Sequence, residues 1–356
     1  MKILFIISDL EGGGTQKVIS QIANYFSLDG DDVTICTLEK TQEKFNLDNK
    51  ITRIRLDSPN NDFLFSSIVF NFIKIKSLNS LLRKQKFDIV VSFIHTTNVI
   101  CLLSSFFTDQ KIIISERNDY KAQQIPFIWN VLRKLSYNYA LCLTANSLKT
   151  KNILEKKFNK KVFHLPNPVT IPKTISKKKK KKIILSVGRL VEQKNYDLLI
   201  DTFREFATHF KDWKLIIIGE GNQYNLIKKK IIDFKLEKKI LIKRFCDPLK
   251  YFQTASFFVL GSKYEGTPNV LLESMANDLP IISSNYDGAN EIISNKKTGL
   301  IFDLQKKGDL LRKMKILASS EEKRLYLSKN ARKFIFNYSL DSIACRWREV
   351  FEGILK

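Results

Sequence analysis

Short apolar runs that end in a glycine turn and lead into a helical pattern recur through this chain, in two separate series. In the first, residues 3–8 read as a strand, Glu11-Gly12-Gly13-Gly14 as a turn and residues 15–28 as a helix. Further strands are expected at 33–38, 89–93, 111–115 and 140–144. In the second, residues 183–187 run into Gly188-Arg189-Leu190 and 215–218 into Gly219-Glu220-Gly221, followed by strands at 240–242, 257–260 and 281–283. Strand, turn and helix in repeated order dictate an α/β fold with parallel sheets and helices on both faces. At 356 residues the chain exceeds one comfortable core, so two doubly wound domains are expected.

The series are separated by a change of character. His164-Leu165-Pro166-Asn167-Pro168 is held extended by its prolines, and Lys177 to Lys182 are consecutive lysines that repel one another and stay hydrated. The expected division is 1–168, a basic connector 169–182, a second domain 183–335, and a last segment 336–356. That segment carries a helix from about 340 to 355, with Ile343, Trp347, Val350, Phe351 and Ile354 on one face, expected to pack back toward the first domain.

Lys and Arg number 60 against 36 Asp and Glu, a formal charge of +24 that favours anionic partners or is partly a matter of composition. The cysteines Cys36, Cys101, Cys142, Cys246 and Cys345 are scattered without a CxxC pair, which fits a reducing, cytoplasmic compartment better than a disulfide framework or a metal centre. The first apolar run is too short to span a bilayer and turns acidic at Asp9 and Glu11, so it reads as a buried strand.

The richest stretch is Tyr264-Glu265-Gly266-Thr267-Pro268-Asn269-Val270-Leu271-Leu272-Glu273. Thr267 reads as an N-cap and Pro268 as the first helical residue; Leu271, Leu272, Met275, Ala276 and Leu279 recur at helical spacing until Pro280. A helix N-terminus beside a glycine turn offers N–H groups and positive dipole to an anion. Glu265 just before that end and Glu273 inside the helix would accept hydrogen bonds from sugar hydroxyls, so the stretch points to a nucleotide-sugar site. Arg189 and Lys194, leaving the first strand of the same domain, suit a phosphate as a bidentate fork and a point charge; alone, such a pair is more often a solvated surface feature, and the glutamate-bearing helix of the same domain tips the reading toward phosphate. Gly12-Gly13-Gly14 also lets backbone approach a phosphate, but Lys17 occupies the third glycine position of a dinucleotide fingerprint.

Taken together, Gly188-Arg189-Leu190 with Lys194-Asn195, Gly219-Glu220-Gly221, Ser262 through Ala276, Leu279-Pro280 and Thr298-Gly299-Leu300 resemble the retaining glycosyltransferases of family 4. Thr267 to Glu273 and Ser115-Glu116-Arg117-Asn118-Asp119 are similar to bacterial transferases that extend lipid-linked or surface polysaccharides such as lipopolysaccharide or capsule. The resemblance implies the GT-B fold, two Rossmann-like doubly wound parallel-sheet domains facing across a cleft. It implies transfer of a sugar, with retention through front-face attack, from a nucleotide-diphosphate donor, UDP-linked hexose or N-acetylhexosamine ahead of GDP. The acceptor would be a glycan, lipid-linked, in surface polysaccharide or glycoconjugate synthesis. Carried over by position, Arg189 and Lys194 would hold the diphosphate, Glu265 the donor sugar and Glu273 the ribose. Gly188, Thr267, Asn269 and Val270 complete the donor set, and Gly13 and Gly14 would contact phosphate from the other domain. No cofactor or metal ion is implied, and no Asp-x-Asp motif or histidine cluster offers a metal site.

Two departures stand out. Many family members carry a histidine where this chain reads Glu116-Arg117, so its role is expected to pass to Glu116, Arg117 or Asn118, with His95 as an alternative. The glycine that usually ends the second-domain helix is Asp278, after Asn277, residue types that tolerate left-handed geometry. Phe63 to Arg83, with Phe65, Ile68, Phe72, Lys74 and Lys76, and Phe127-Ile128-Trp129 with Arg133 and Lys134, are basic and apolar enough to lie on an acidic membrane, or are core helices with solvated lysines. The implied place is therefore the cytoplasm, peripheral on the inner face of the membrane, with no nucleic-acid partner. The competing readings are a polyanion- or nucleic-acid-binding protein, which lacks the expected modules, and a catalytically inactive GT-B relative.

Overall fold

The computed structural model describes residues 1–56, 66–123, 125–174, 179–244 and 246–356, without the side chains of 66–68. Phe63, Leu64, Phe65, the Ile68 side chain, Lys177 and Lys178 thus lie outside the described residues. Two compact units are present: Met1–Pro168 with Leu340–Lys356, and Val169–Ser339.

The first unit alternates β1 (Lys2–Ile7), α1 (Gly14–Leu28), β2 (Asp32–Thr37), β3 (Thr52–Arg55), α2 (Ser66–Lys84), β4 (Ile89–Phe93), α3 (His95–Ser104), β5 (Ile112–Glu116), α4 (Phe127–Ser136), β6 (Cys142–Ala145), α5 (Leu148–Phe158) and β7 (Val162–His164). All pairings are parallel, in the order β3-β2-β1-β4-β5-β6-β7. Successive side chains of β1 serve opposite cores: Ile3, Phe5 and Ile7 on one face, Leu4 and Ile6 on the other. Such double burial is why the run shows no polar alternation.

The second unit contains β8 (Ile183–Val187), α6 (Tyr196–His209), β9 (Lys214–Ile218), α7 (Tyr224–Asp233), β10 (Ile240–Lys243), α8 (Leu249–Thr254), β11 (Phe257–Leu260), α9 (Asn269–Ala276), β12 (Ile281–Ser284), α10 (Asp287–Ile292), β13 (Leu300–Phe302), α11 (Asp309–Ser319) and α12 (Glu321–Ile335). Its strand order, β10-β9-β8-β11-β12-β13, reverses between β8 and β11. The loops leaving those two strands flank the switch point where open parallel sheets bind ligands. The remaining helix, α13 (Leu340–Leu355), lies in the first unit, where Trp347 and Phe351 pack with Phe93 and Phe26.

Several expected boundaries move. Residues 162–164 form a further strand that the sequence reading did not place, because β7 finds a ladder on β6. Val169 already belongs to the second core, and its N–H donates to the Tyr338 carbonyl at 2.8 Å. Pro268 is the N-cap of α9, not its first residue: its ψ of 118° is extended, so the helix starts at Asn269 and Thr267 stands buried one residue before the cap. Leu279 lies beyond the helix, which ends at Ala276; Asp278 takes φ of 52°, Leu279 N–H reaches the Ser274 carbonyl and Asp278 N–H that of Met275. That pair of bonds is a Schellman stop built on aspartate in place of glycine.

Candidate functional site

At the end of β8 the chain turns through Gly188 and Arg189, and the turn is braced by its neighbour after β9. Leu190 N–H donates to the Glu220 carbonyl at 2.7 Å, and a side chain at Gly219 would stand 1.9 Å from the Gly188 carbonyl oxygen. Only glycine allows that approach, the physical content of Gly219-Glu220-Gly221. Arg189 is exposed and makes no side-chain bond among the described residues. A short 3-10 turn, Glu192–Lys194, brings the Lys194 side chain back against Gly188, and Asn195 in the left-handed region caps the start of α6.

Lys194 Nζ donates to Glu265 Oε1 at 2.7 Å, and Ser262 Oγ donates to the same oxygen at 2.5 Å. Both ions are largely shielded, with 10% and 14% of their side chains exposed. The loop carrying Glu265 is fixed from behind as well: Ser284 Oγ donates to the Ser262 carbonyl, and a side chain at Gly288 would fall 1.7 Å from the Gly266 oxygen. α9 follows with no side-chain cap hydrogen bond, so the positive end of its dipole lies at this loop and favours an anion. Asn269, Val270 and Glu273 lie half-buried on that first stretch of helix. The fold therefore gathers Gly188, Arg189, Lys194, Glu265, Thr267, Asn269, Val270 and Glu273 around one sheet edge, cations and carboxylates together.

In the first unit Gly13 has φ of 136°, a conformation for glycine, and it is the uncapped N-cap of α1, which begins at Gly14. It forms a second anion-receptive helix start.

Glu116 and Arg117 are both buried in the first unit. Glu116 is 1% exposed, accepts from the Tyr137 hydroxyl and lies 3.7 Å from Arg133. Burial pushes its carboxyl above the usual range, against the pull of Arg133 and Tyr137. Arg117 is held between Phe93 and Trp347, 5.3 and 5.4 Å from their ring centroids, and donates to the Leu165 carbonyl at 2.9 Å. Burial lowers its pKa to about 9. Both side chains are enclosed within their own unit, with Arg117 Nε and Nη2 left without a hydrogen-bond partner. His95, at the start of α3, is half-buried with Nδ1 3.2 Å from Gln123 Nε2, and it remains the more accessible group at that sheet edge. Arg133 is likewise buried, 3.7 Å over the Tyr120 ring, and Lys74 is buried and paired with Glu39, so neither serves a surface. Sequence reasoning passed over Tyr137 and placed Trp347 only on a helix face; their contacts with Glu116 and Arg117 leave no local signature. Among the described residues no cluster of His, Cys, Asp or Glu could hold a metal ion, and no helix is long and apolar enough to cross a membrane.

The family model for Glycosyltransferase Family 4 matches residues 12–171, and that for Glycosyl transferases group 1 matches 170–334. The chain belongs to the family 4 glycosyltransferases and has the GT-B fold. It is a glycosyltransferase, and its relatives build lipid-linked glycans and polysaccharides. It is 27% identical, over 99% of both chains, to the Campylobacter jejuni GalNAc-alpha-(1->4)-GalNAc-alpha-(1->3)-diNAcBac-PP-undecaprenol alpha-1,4-N-acetyl-D-galactosaminyltransferase. It is 25% identical to the Amylovoran biosynthesis glycosyltransferase AmsD of Erwinia amylovora, over 98% of this chain and 99% of the other. Among solved structures, Anabaena HepE in complex with UDP and glucose superposes with a TM-score of 0.84 at 14% identity, covering 99% of each chain.

Proposed function

We propose that this protein transfers a sugar, with retention of anomeric configuration, from a UDP-linked hexose or N-acetylhexosamine to a lipid-linked glycan acceptor. The observation that carries the reading is the Lys194–Glu265 pair on the loop that leads into α9, with Arg189 exposed at the end of β8. Arg189, Lys194 and the helix start supply fixed positive charge where a leaving diphosphate gains negative charge, usually the largest single contribution to such catalysis. Glu265 accepts from the donor sugar and Glu273 from the ribose. Glycine at 188 lets the chain pass close to the phosphates; Thr267, Asn269 and Val270 shape the start of α9, and Gly13 and Gly14 offer phosphate a second helix start. The acceptor hydroxyl attacks from the face the diphosphate leaves. The protein's own cations meet the diphosphate charge, so no metal or cofactor enters, and EDTA is expected to leave turnover unchanged.

Support for an acidic membrane surface as partner, on the cytoplasmic side, comes from the first unit. Val69 and Phe72 on α2 and Phe127 and Ile128 on α4 are exposed, with Lys76, Arg83, Lys84 and Lys134 exposed on the same helices. An apolar edge with cations suits an interface helix, and each cation adds roughly 1 kcal/mol at an acidic leaflet. The relatives' undecaprenol-linked acceptors lend the same support.

The test is a thermal-shift panel with UDP, GDP, ADP and CMP on wild type and Arg189→Ala. Ligand at about a hundredfold its dissociation constant adds roughly 2.7 kcal/mol. A shift with UDP that vanishes in the variant is expected. No shift with any nucleotide, alongside salt-sensitive nucleic-acid binding unaffected by Arg189→Ala, would favour the polyanion reading instead.

A further inference from the structure

The segment Glu192-Gln193-Lys194 is bound residue by residue to Lys263-Tyr264-Glu265. Lys263 Nζ donates to Glu192 at 2.6 Å, Lys263 N–H to the Gln193 carbonyl at 2.8 Å, Gln193 Nε2 to the Tyr264 carbonyl at 2.6 Å, and Lys194 Nζ to Glu265 at 2.7 Å. The outer ion pair is exposed and contributes little. Gln193 is different: it is half-buried, uncharged, and holds Lys263 by its backbone and Tyr264 by its side chain.

The stretch it grips belongs to neither helix nor strand, so no ladder orients its peptide planes. The Tyr264 carbonyl lies in the planar unit that leads into the Glu265 Cα. Fixing that plane fixes the N–Cα axis of Glu265 and so narrows the directions in which its side chain can depart. We propose that Gln193 is a positioning residue for sugar transfer: its amide locks the Tyr264–Glu265 peptide and so aims the Glu265 carboxylate at the donor sugar. The inference rests on the reading of Glu265 as the sugar contact.

Gln193→Met keeps the length and removes the donor; Gln193→Lys restores an N–H donor. One neutral hydrogen bond corresponds to about a three- to tenfold change, so Gln193→Met should lower kcat/KM for the sugar donor by about that factor. UDP alone carries no sugar, so its affinity should stay within about twofold of wild type, whereas a general loosening of the site would weaken it. Gln193→Lys should recover most of the loss. Hydrogen exchange of residues 261–268 in the unliganded protein should quicken in Gln193→Met and not in Gln193→Lys. Unchanged kcat/KM and exchange in Gln193→Met, a parallel fall in UDP affinity, or equal damage in Gln193→Lys would each overturn the proposal. Wild type that binds no nucleoside diphosphate would instead sink the donor-site reading, and the exchange measurement would still decide whether Gln193 locks the loop.

Discussion

Lys194 Nζ and Glu265 Oε1 stand 2.7 Å apart, tying the loop after β8 to the loop that precedes α9 across the switch point of the second sheet. The pair joins two side chains that are distant in sequence and largely shielded from water. On the proposed reading, a diphosphate arriving at Arg189 would find Lys194 already held in place by Glu265.

Lys194→Met leaves Glu265 with Ser262 alone. Removing one partner of a fully buried pair costs about 3–5 kcal/mol; partial exposure reduces this to about 1–3 kcal/mol here. The melting temperature should fall by several degrees, and donor kcat/KM by about 100-fold or more as leaving-group stabilisation is lost. Adding Glu265→Gln should recover melting but not activity. An unchanged melting curve for Lys194→Met would show that the pair carries no stability.

Asp278→Gly is expected to stabilise. The residue sits at φ of 52°, where glycine pays no Cβ cost, and burial pushes its carboxyl above the usual range despite Arg332 and Lys180. The contact to Arg332 is long, 3.8 Å, so little is lost with the carboxylate. A rise of up to about 1 kcal/mol, or roughly 2–4 °C, should appear in a melt. Asp278→Val, β-branched in a left-handed position, should fall by more than that. A drop in Asp278→Gly would mean that the ion pair outweighs the backbone.

His95 gives stability an acid limb. Burial, and then the charge of Arg133, depress its pKa from 6.5 to about 4. Between those values the unfolded chain binds a proton that the folded chain refuses, so the contribution is present above pH 6.5 and is lost as pH falls toward 4. Denaturant melts of His95→Gln across that window should show a flatter decline than wild type. Parallel profiles would place the acid limb in other groups.

Phe127→Ser with Ile128→Ser removes two exposed apolar side chains, 83% and 58% accessible, from the start of α4. Burying such side chains is worth about 1.5–3 kcal/mol each. Sedimentation with vesicles containing anionic lipid should weaken at least about tenfold, while turnover on a detergent-solubilised acceptor stays near wild type. Equal sedimentation of variant and wild type would place any membrane contact elsewhere.

Periodicity made the paired parallel sheets legible, because strands buried on both faces must be continuously apolar and helices covering them must repeat near 3.6 residues. Gly188-Arg189, Lys194, Glu265 and Glu273 were legible too, since turn glycines, helix starts and charges at strand ends are local features. Glu116 and Arg117 were not. Their sequence looks like a polar loop at a strand end, yet Tyr137, Phe93 and Trp347 close over them from far along the chain. Arg133 reads as a surface cation on an amphipathic helix and is buried over Tyr120.

The sequence alone thus determined the elements, their alternation and the residue types at the ends of β8 and β11, all of which depend on neighbours a few positions away. The tertiary structure alone decided which charges stay at the surface and which are enclosed, and that Gln193 meets Tyr264. Burial and hydrogen bonding between distant segments depend on how loops pass one another, and no local pattern encodes that path.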